Sequence, residues 1–338
     1  MKASRVGRRA LALTIAGLAI GVTACGSGST ASSGGSGVSS GAPELSAITI
    51  GVLPSADTVT IQIAQDKGFF KQQGLNVRLV TMTTTNQAAS GLLSHTMDFA
   101  VENYVGLFEQ EKTVPGLNLR VVSDDSQASA DNYVLLVTKN SKLTSISQLK
   151  GKKVSIPAPG FNFGAMALDV LMEPYHLSST DYTTVVLPFS AAQQALAKGE
   201  VDAAFTTEPF ITAAEATAGD RILVDMTSGP LTGFPETCWV TDAAFVQKYP
   251  KTVAAFQRAL ASALQVAATD PSYVRSELPK FIPAMKPAIA KVITLPTFNT
   301  TLSLARLTRV ADQIEQLGQL PKNFDVNALY YPLASAES

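Results

Sequence analysis

Three carboxylates follow short apolar stretches that are typical of buried strands. Asp57, Glu102 and Glu208 each come at the end of such a stretch, and hydroxyl or amide side chains accompany every one of them. Carboxylates and hydroxyls placed at strand ends accept hydrogen bonds from a small molecule and fix its orientation. The pattern therefore indicates a binding site for an organic solute.

The complete set of candidate ligand-binding residues follows from the same rule, applied to each predicted strand end. The candidates are Ser55, Asp57, Thr83, Thr84, Asn86, Glu102, Asn103, Tyr104, Gly160, Phe161, Asn162, Thr206, Thr207, Glu208 and Trp239. Several of them have a purely structural alternative. Thr206, Thr207 and Asp57 could be helix caps, and Glu208 could complement a helix dipole. Thr83 and Thr84 could be solvated turn residues, and Tyr104 and Trp239 could be core residues.

The candidates carry several carboxylates and no arginine, which is an unfavourable lining for an inorganic anion such as nitrate. Phe161, Tyr104 and Trp239 suit a flat ring held by stacking, so a pyrimidine-like heterocycle is one candidate solute. A helix start at about Asn162 would place backbone N–H groups toward the site and favour an anionic group. A sulfonate held by hydroxyls and N–H groups is therefore the other candidate.

Catalysis has little support in the sequence. The two histidines, His95 and His176, both fall at predicted surface caps, which disfavours a catalytic dyad or triad. The sequence contains no Cys/His metal-ligand cluster and no nucleotide-binding glycine loop. We expect a binding protein without a cofactor.

A helix–strand–helix unit positions the last group of candidates. The helix 191–198 should end at Gly199, which can take the left-handed C-cap. Residues 201–205 then form a strand, and Thr206 or Thr207 can cap a helix that Pro209 begins. This unit delivers polar groups to the carboxyl edge of a sheet, where open α/β sheets bind ligands.

Alternating strands and helices along the chain predict an α/β fold with two doubly wound lobes. We assign residues 44–135 and 241–332 to lobe one and residues 136–240 to lobe two. Strands at 133–137 and 237–241 are expected to cross between the lobes and to leave a ligand cleft that closes by hinge motion.

Three segments resemble one known family. They are Gln65–Leu75 (QDKGFFKQQGL), Leu149–Pro157 (LKGKKVSIP) and Gly199–Ala203 (GEVDA) with the following Glu208-Pro209. In their order and spacing they resemble solute-binding proteins of ABC importers, in the superfamily that binds nitrate, sulfonates, taurine and thiamine-pyrimidine precursors. The resemblance implies a type II periplasmic-binding-protein fold and partnership with an ABC permease and its ATPase. His95 stands where the family usually has glycine.

The beginning of the chain resembles a bacterial lipoprotein signal. Four basic residues precede an apolar run from Ala10 to Val22, which is too short to span a membrane, and Val22-Thr23-Ala24-Cys25 resembles a lipobox. We expect a signal peptide over 1–24, a lipidated Cys25 and a Gly/Ser-rich tether over 25–43. An ordinary signal peptide and twin-arginine export through Arg8-Arg9 are the alternatives.

Removal of residues 1–24 leaves 22 basic against 27 acidic residues, because it removes four basic residues and no acidic one. This balance argues against nucleic acid and against a polybasic membrane contact. Cys238 would have no disulfide partner if Cys25 is acylated, and we expect it to be a buried apolar residue.

Together these features predict a monomeric lipoprotein on the outer face of the cell membrane that captures a small organic solute for an ABC permease. An envelope lipoprotein with a sensory or structural role is the first alternative. The second is an enzyme, because one branch that shares the fold resembles an iron-dependent pyrimidine-precursor synthase with a cysteine-rich segment and a substrate-donating histidine.

Overall fold

Two β-sheets organise the protein, whose computed structural model describes residues 41–283 and 285–333. The predicted signal peptide and Cys25 lie outside the described residues, as does the tether up to residue 40. Alternation of side chains explains the first strand: Ile48, Ile50 and Val52 are buried in the core, one on every second position.

Sheet one has six strands in the spatial order β2-β1-β3-β10-β4-β11 and sheet two has five in the order β7-β6-β8-β5-β9. The strands of sheet one are β1 Ala47–Val52, β2 Asn76–Thr81, β3 Phe99–Asn103, β4 Leu119–Gln127, β10 Pro235–Asp242 and β11 Thr297–Phe298. The strands of sheet two are β5 Tyr133–Val137, β6 Lys153–Ile156, β7 Thr183–Val186, β8 Ala203–Thr207 and β9 Arg221–Asp225.

The two sheets share one plan. In each, three strands are parallel with the first in the middle, and a fourth strand, β10 or β5, joins them antiparallel. The predicted α/β class with two sheets is confirmed, and the antiparallel strands are an addition to the doubly wound pattern. Strand β5 follows directly from sheet one, and β10 follows directly from sheet two.

The chain therefore passes between the sheets in the connections 128–132 and 226–234, rather than in the strands expected to cross. Arg309 holds the second connection. Its guanidinium donates hydrogen bonds to the carbonyl oxygens of Gly233, Pro230 and Thr232 at 2.8–3.0 Å and lies over the ring of Phe234.

Helices cover both sheets. Their bounds are α1 Thr60–Asp66, α2 Phe69–Gln72, α3 Gln87–Leu93, α4 Tyr104–Thr113, α5 Phe163–Met172, α6 Phe189–Lys198, α7 Phe210–Ala218, α8 Ala243–Lys248, α9 Pro250–Thr269, α10 Pro271–Phe281, α11 Pro287–Ala290, α12 Leu304–Gln316 and α13 Val326–Leu329. Phe256 of α9 stacks on Phe99 of β3 at 4.0 Å between ring centroids, which fixes α9 against sheet one. Among the described residues, no helix combines the length and the apolar character that crossing a membrane requires.

Backbone geometry agrees with the sequence at two helix ends and differs at one helix. Gly199 and His95 both take the left-handed conformation, with φ of 70° and 54°. The spacing of apolar residues over 58–73 predicts one helix, but the structure divides this segment into α1 and α2, because Gly68 has φ of 70° and interrupts it. Cys238 is buried and has no disulfide partner among the described residues.

Candidate functional site

A cavity of about 280 Å³ lies between the two sheets and is the candidate site. Its wall comes largely from the segments that follow the six parallel strands, three from each sheet. Nine of the residues selected from the sequence line it: Ser55, Asp57, Thr83, Thr84, Asn86, Asn103, Asn162, Thr207 and Glu208. The carboxyl edges of both sheets thus meet at one cavity, as the strand-end rule implies.

Six selected residues lie outside the cavity wall, and the fold explains each position. Trp239 is fully buried on β10, where it packs edge-on against Phe256 at 6.1 Å. Tyr104 is fully buried at the start of α4, and its hydroxyl donates to Asp124. Both are core residues, which is the alternative that their size and apolar surface had left open.

Glu102 and Thr206 do not line the cavity, whereas their strand neighbours Asn103 and Thr207 do, because neighbouring residues of a strand face opposite sides. Glu102 is fully buried and accepts a hydrogen bond from Gln110 Nε2 at 2.7 Å. Thr206 is buried on β8, while the adjacent Thr207 lines the cavity. Gly160 and Phe161 belong to the turn before α5 but not to the wall.

Five aromatic rings that the sequence reasoning missed contribute to the apolar wall. Tyr133, Phe163, Phe189, Phe205 and Phe210 all line the cavity. Tyr133 stacks on Phe205 at 5.7 Å with 8° between the ring planes, and Phe189 lies 5.9 Å from Phe205 and 6.1 Å from Phe210. Phe189 and Phe210 follow β7 and β8, so the strand-end rule could have found both.

Asp57 connects the two sides of the cavity. It lies in the short 3-10 helix Ala56–Thr58 after β1, and its Oδ2 accepts a hydrogen bond from the hydroxyl of Tyr133 of β5 at 3.4 Å. It does not cap the following helix, contrary to one alternative. Burial raises the pKa of Asp57, and hydrogen bonds from Ser55 and Tyr133 oppose that rise.

The carboxylate of Glu208 accepts hydrogen bonds from other groups of the protein. Its Oε1 accepts hydrogen bonds from the hydroxyl of Thr212 at 2.7 Å and from the backbone N–H of Thr294 at 3.1 Å, and its Oε2 accepts from the N–H of Thr212 at 3.1 Å. Burial raises the pKa of Glu208, while these hydrogen bonds and the charge of Arg275 lower it. The carboxylate therefore fixes the start of α7 against the loop after α11.

The helix start predicted near Asn162 is present. Asn162 is the N-cap of α5, and its Oδ1 accepts a hydrogen bond from the N–H of Ala165 at 3.2 Å. Thr207, in contrast, caps no helix, because its hydroxyl donates to the carbonyl oxygen of Asn132 at 2.8 Å. Pro209 stands at the N-cap of α7 instead.

The charged groups of the wall are both acidic. Asp57 and Glu208 line the cavity, and no lysine, arginine or histidine is among the described lining residues. Within 41–283 and 285–333, no group of three or more His, Cys, Asp or Glu side chains is arranged to hold a metal ion. His95 and His176 are exposed and lie outside the wall. The residues that line the site therefore include aromatic rings, hydroxyls, amides and two carboxylates that a small molecule could contact.

Comparison with known proteins gives one family match. A family model described as NMT1/THI5 like matches residues 55–273. A Haemophilus influenzae protein named for thiamine biosynthesis is 31% identical over 162 residues, which is 48% of this chain and about half, 49%, of that protein. A 4-amino-5-hydroxymethyl-2-methylpyrimidine phosphate synthase of Uromyces fabae is 23% identical over 79% of this chain and 81% of its own length.

The fold is also found among solved structures. The alkanesulfonate-binding protein SsuA from Xanthomonas axonopodis pv. citri, bound to MOPS, matches with a TM-score of 0.70 and 19% identity. The match covers 86% of this chain and 99% of that protein. At this identity the similarity establishes a shared periplasmic-binding-protein fold.

Proposed function

The chain belongs to the NMT1/THI5-like family, and on that premise we propose that it is an extracytoplasmic solute-binding protein of an ABC importer. In this role it captures a small organic solute outside the cell and delivers it to a membrane permease, which an ATPase drives. The two-sheet organisation supports two lobes that close around the solute by hinge motion at the connections 128–132 and 226–234.

One observation carries the proposal: the cavity lies between the two sheets and takes its wall from both. A solute bound there touches both lobes at once, so its binding energy favours the closed arrangement. Closure excludes water and strengthens the hydrogen bonds inside. A binding protein needs this coupling, because the permease must distinguish loaded from empty protein.

The wall favours a flat heterocycle over a sulfonate. Phe189 and Phe210 offer ring faces, Asp57 offers a hydrogen-bond acceptor, and the described wall has no cationic side chain. Aromatic walls with few polar groups are characteristic of sites for organic ligands. A pyrimidine-like heterocycle is the proposed solute, and a sulfonate held by Thr83, Thr84 and the start of α5 is the competing one.

Names of relatives raise a second candidate, a pyrimidine-precursor synthase. Such an enzyme resembles one with a substrate-donating histidine, but His95 and His176 are exposed, with φ of 54° and 55°, and lie outside the cavity wall. Cys238 is fully buried on β10. These positions support binding rather than catalysis as the role of this chain.

A panel of solutes tests the proposed function. Thermal unfolding of the purified full chain is recorded with 4-amino-5-hydroxymethyl-2-methylpyrimidine, riboflavin, aromatic acids, taurine, alkanesulfonates, nitrate and bicarbonate. A solute at 100 times its Kd should add about 2.7 kcal/mol to the free energy of unfolding. A response to the pyrimidine supports the proposal, a response to taurine alone moves it to the sulfonates, and no response to any solute contradicts it.

Anchoring through Cys25 belongs to the same proposal. It is supported by the lipobox-like sequence Val22-Thr23-Ala24-Cys25 and by the Gly/Ser-rich stretch that follows. A lipid anchor would keep the solute-binding part within reach of the permease. Replacement of Cys25 by serine should move the protein from the membrane fraction to the soluble fraction, and membrane retention of that variant would contradict the anchor.

A further inference from the structure

The two carboxylates of the cavity wall differ in the acceptor capacity that they have left. Glu208 already accepts three hydrogen bonds from Thr212 and Thr294. Asp57 accepts fewer side-chain hydrogen bonds, a long one from the hydroxyl of Tyr133 at 3.4 Å and one from the hydroxyl of Ser55. A carboxylate has about four lone-pair sites. Asp57 is therefore the carboxylate of the wall with more capacity left to accept N–H donors from a solute.

Two further carboxylates stand behind Asp57 on neighbouring strands. Asp125 of β4 and Glu236 of β10 are both fully buried, and the charges of both interact with that of Asp57. Asp125 Oδ1 accepts a hydrogen bond from the hydroxyl of Thr60 at 2.6 Å. Glu236 Oε2 is 3.5 Å from the hydroxyl of Ser126, whereas its Oε1 has no hydrogen-bond partner among the described residues.

The groups that face Asp57 make its surroundings acidic. Tyr133 of β5, Asp125 of β4 and Glu236 of β10 are the titratable groups that interact with it. Arg306, the cation next to Asp124 of β4, donates a 2.6 Å hydrogen bond to that carboxylate. Burial is the first cause that raises the pKa of Asp125 and of Glu236, and the charge of Asp57 adds to it.

An acidic group in these surroundings discriminates between solutes by charge. An N–H donor or a positive charge next to Asp57 favours its ionised form and offsets repulsion from the acids behind it. A sulfonate or a carbonyl oxygen at the same place would face the carboxylate of Asp57. Because both groups are hydrogen-bond acceptors, neither would gain a partner. The preference should therefore be set by Asp57 and not by the aromatic wall, which accepts any flat ring.

We propose that Asp57, backed by Asp125 and Glu236, determines which solutes the cavity binds. This inference rests on the proposed function. Asp57 accepts the N–H donors of an amino-substituted nitrogen heterocycle, neutral or cationic, and it rejects analogues that present an oxygen acceptor or an anion there. Phe189 and Phe210 contact the face of the heterocycle, and Asp57 accepts hydrogen bonds from its edge.

A paired comparison of ligand and residue tests this proposal. The probes are 4-amino-5-hydroxymethyl-2-methylpyrimidine and its 4-oxo analogue, which replaces the amino donor with a carbonyl acceptor. Calorimetry on the wild-type full chain should give at least about a tenfold preference for the amino compound, because a site built to accept from an exocyclic amino group rejects a ligand that presents a carbonyl oxygen there. In Asp57→Asn, whose amide both donates and accepts, the preference should fall to within about threefold.

Matched controls separate the effect from a change in fold. Asp312→Asn makes the same side-chain change at an exposed position of α12 outside the wall, and it should keep the wild-type preference. Asp57→Ser is a second variant at the same position. Of Asp57→Asn and Asp57→Ser, the one that retains the wild-type thermal transition is used for the comparison.

The possible results separate the specificity role of Asp57 from the proposed function. If the amino compound binds and its preference survives in the Asp57 variant, the specificity role is wrong while the proposed function stands. If the wild type binds the two probes equally, the specificity role is also wrong. If neither probe binds the wild type, the proposed heterocycle and the inference built on it both fail.

Discussion

The carboxylate of Glu208 accepts a hydrogen bond from the backbone N–H of Thr294 at 3.1 Å, although 86 positions separate the two residues. Glu208 follows β8 of sheet two, whereas Thr294 lies between α11 and β11 of sheet one. The bond therefore links segments that belong to different sheets. Arg275 supports the same loop with hydrogen bonds to the carbonyl oxygens of Ala290 and Ile293.

This link predicts that Glu208 acts on solute affinity through closure. Glu208→Ala should weaken heterocycle binding at least about tenfold without unfolding the protein, because the closed arrangement loses a charge-assisted hydrogen bond worth about 1.5–3 kcal/mol. Calorimetry measures the affinity, and small-angle scattering of the loaded protein measures closure. Glu215→Gln, at an exposed position of α7, is the control. An unchanged affinity of Glu208→Ala would remove the closure role.

Phe189 is predicted to contribute ring stacking. It is half-buried, lines the cavity and lies about 6 Å from two other rings of the wall. Phe189→Ala should weaken heterocycle binding by about 1–3 kcal/mol, the range found when an aromatic side chain that stacks on a base is removed. Tyr175→Ala, which removes a ring that is 50% exposed, should leave the affinity unchanged. Equal losses in the two variants would contradict a stacking role.

Tyr104 is predicted to matter for stability and not for binding, a correction to its selection as a ligand contact. Its hydroxyl donates to Asp124, a fully buried carboxylate that also binds Arg306. Tyr104→Phe should lower the free energy of unfolding by about 1–3 kcal/mol, since Asp124 loses a buried partner. Urea unfolding measures this, with the exposed Tyr175→Phe as control. Weaker solute binding at wild-type stability would show that Tyr104 belongs to the site after all.

The raised pKa of Glu102 predicts that the stability of the protein depends on pH. Burial raises its pKa to about 8, and hydrogen bonds from Gln110 and Asn103 oppose the rise. Between the ordinary value of 4.5 and about 8 the folded state binds more protons than the unfolded state, so stability is full below this window and falls as pH rises through it. Each tenfold difference in proton affinity between the two states corresponds to about 1.4 kcal/mol of stability.

Urea unfolding at pH 5 and pH 8.5 measures this effect. Glu102→Gln should lose less stability than the wild type between the two pH values, because its amide does not ionise. Glu200→Gln, at a position with a 60% exposed side chain, should follow the wild type. Parallel losses in the Glu102 variant and the wild type would show that other buried acids carry the pH dependence.

Local rules predicted the elements that local chemistry determines. The left-handed Gly199, the N-cap Asn162 and the strand ends that line the cavity follow from residue type and spacing. Helix α4 was missed because Asn103 and Tyr104 resemble a loop after a strand. The side chain of Asn103 in fact caps that helix by accepting from the N–H of Val105 at 3.0 Å.

What could not be predicted depends on contacts between distant residues. The meeting of Asp57 with Tyr133, 76 positions away, results from the packing of the two sheets. Strand register also determines which side of a sheet each residue faces. For this reason Thr207 lines the cavity and Thr206 does not. Sequence patterns place a residue near a strand end, and only the packed fold decides which way it points.

Titration calorimetry of the full chain with 4-amino-5-hydroxymethyl-2-methylpyrimidine, with taurine as the rival solute, tests the central claim most directly. We predict one site per chain and a negative heat-capacity change on binding, because the ring buries apolar surface of the wall, and we predict no competition by taurine. Absence of binding heat for the pyrimidine at several temperatures, or its displacement by taurine, would contradict the account.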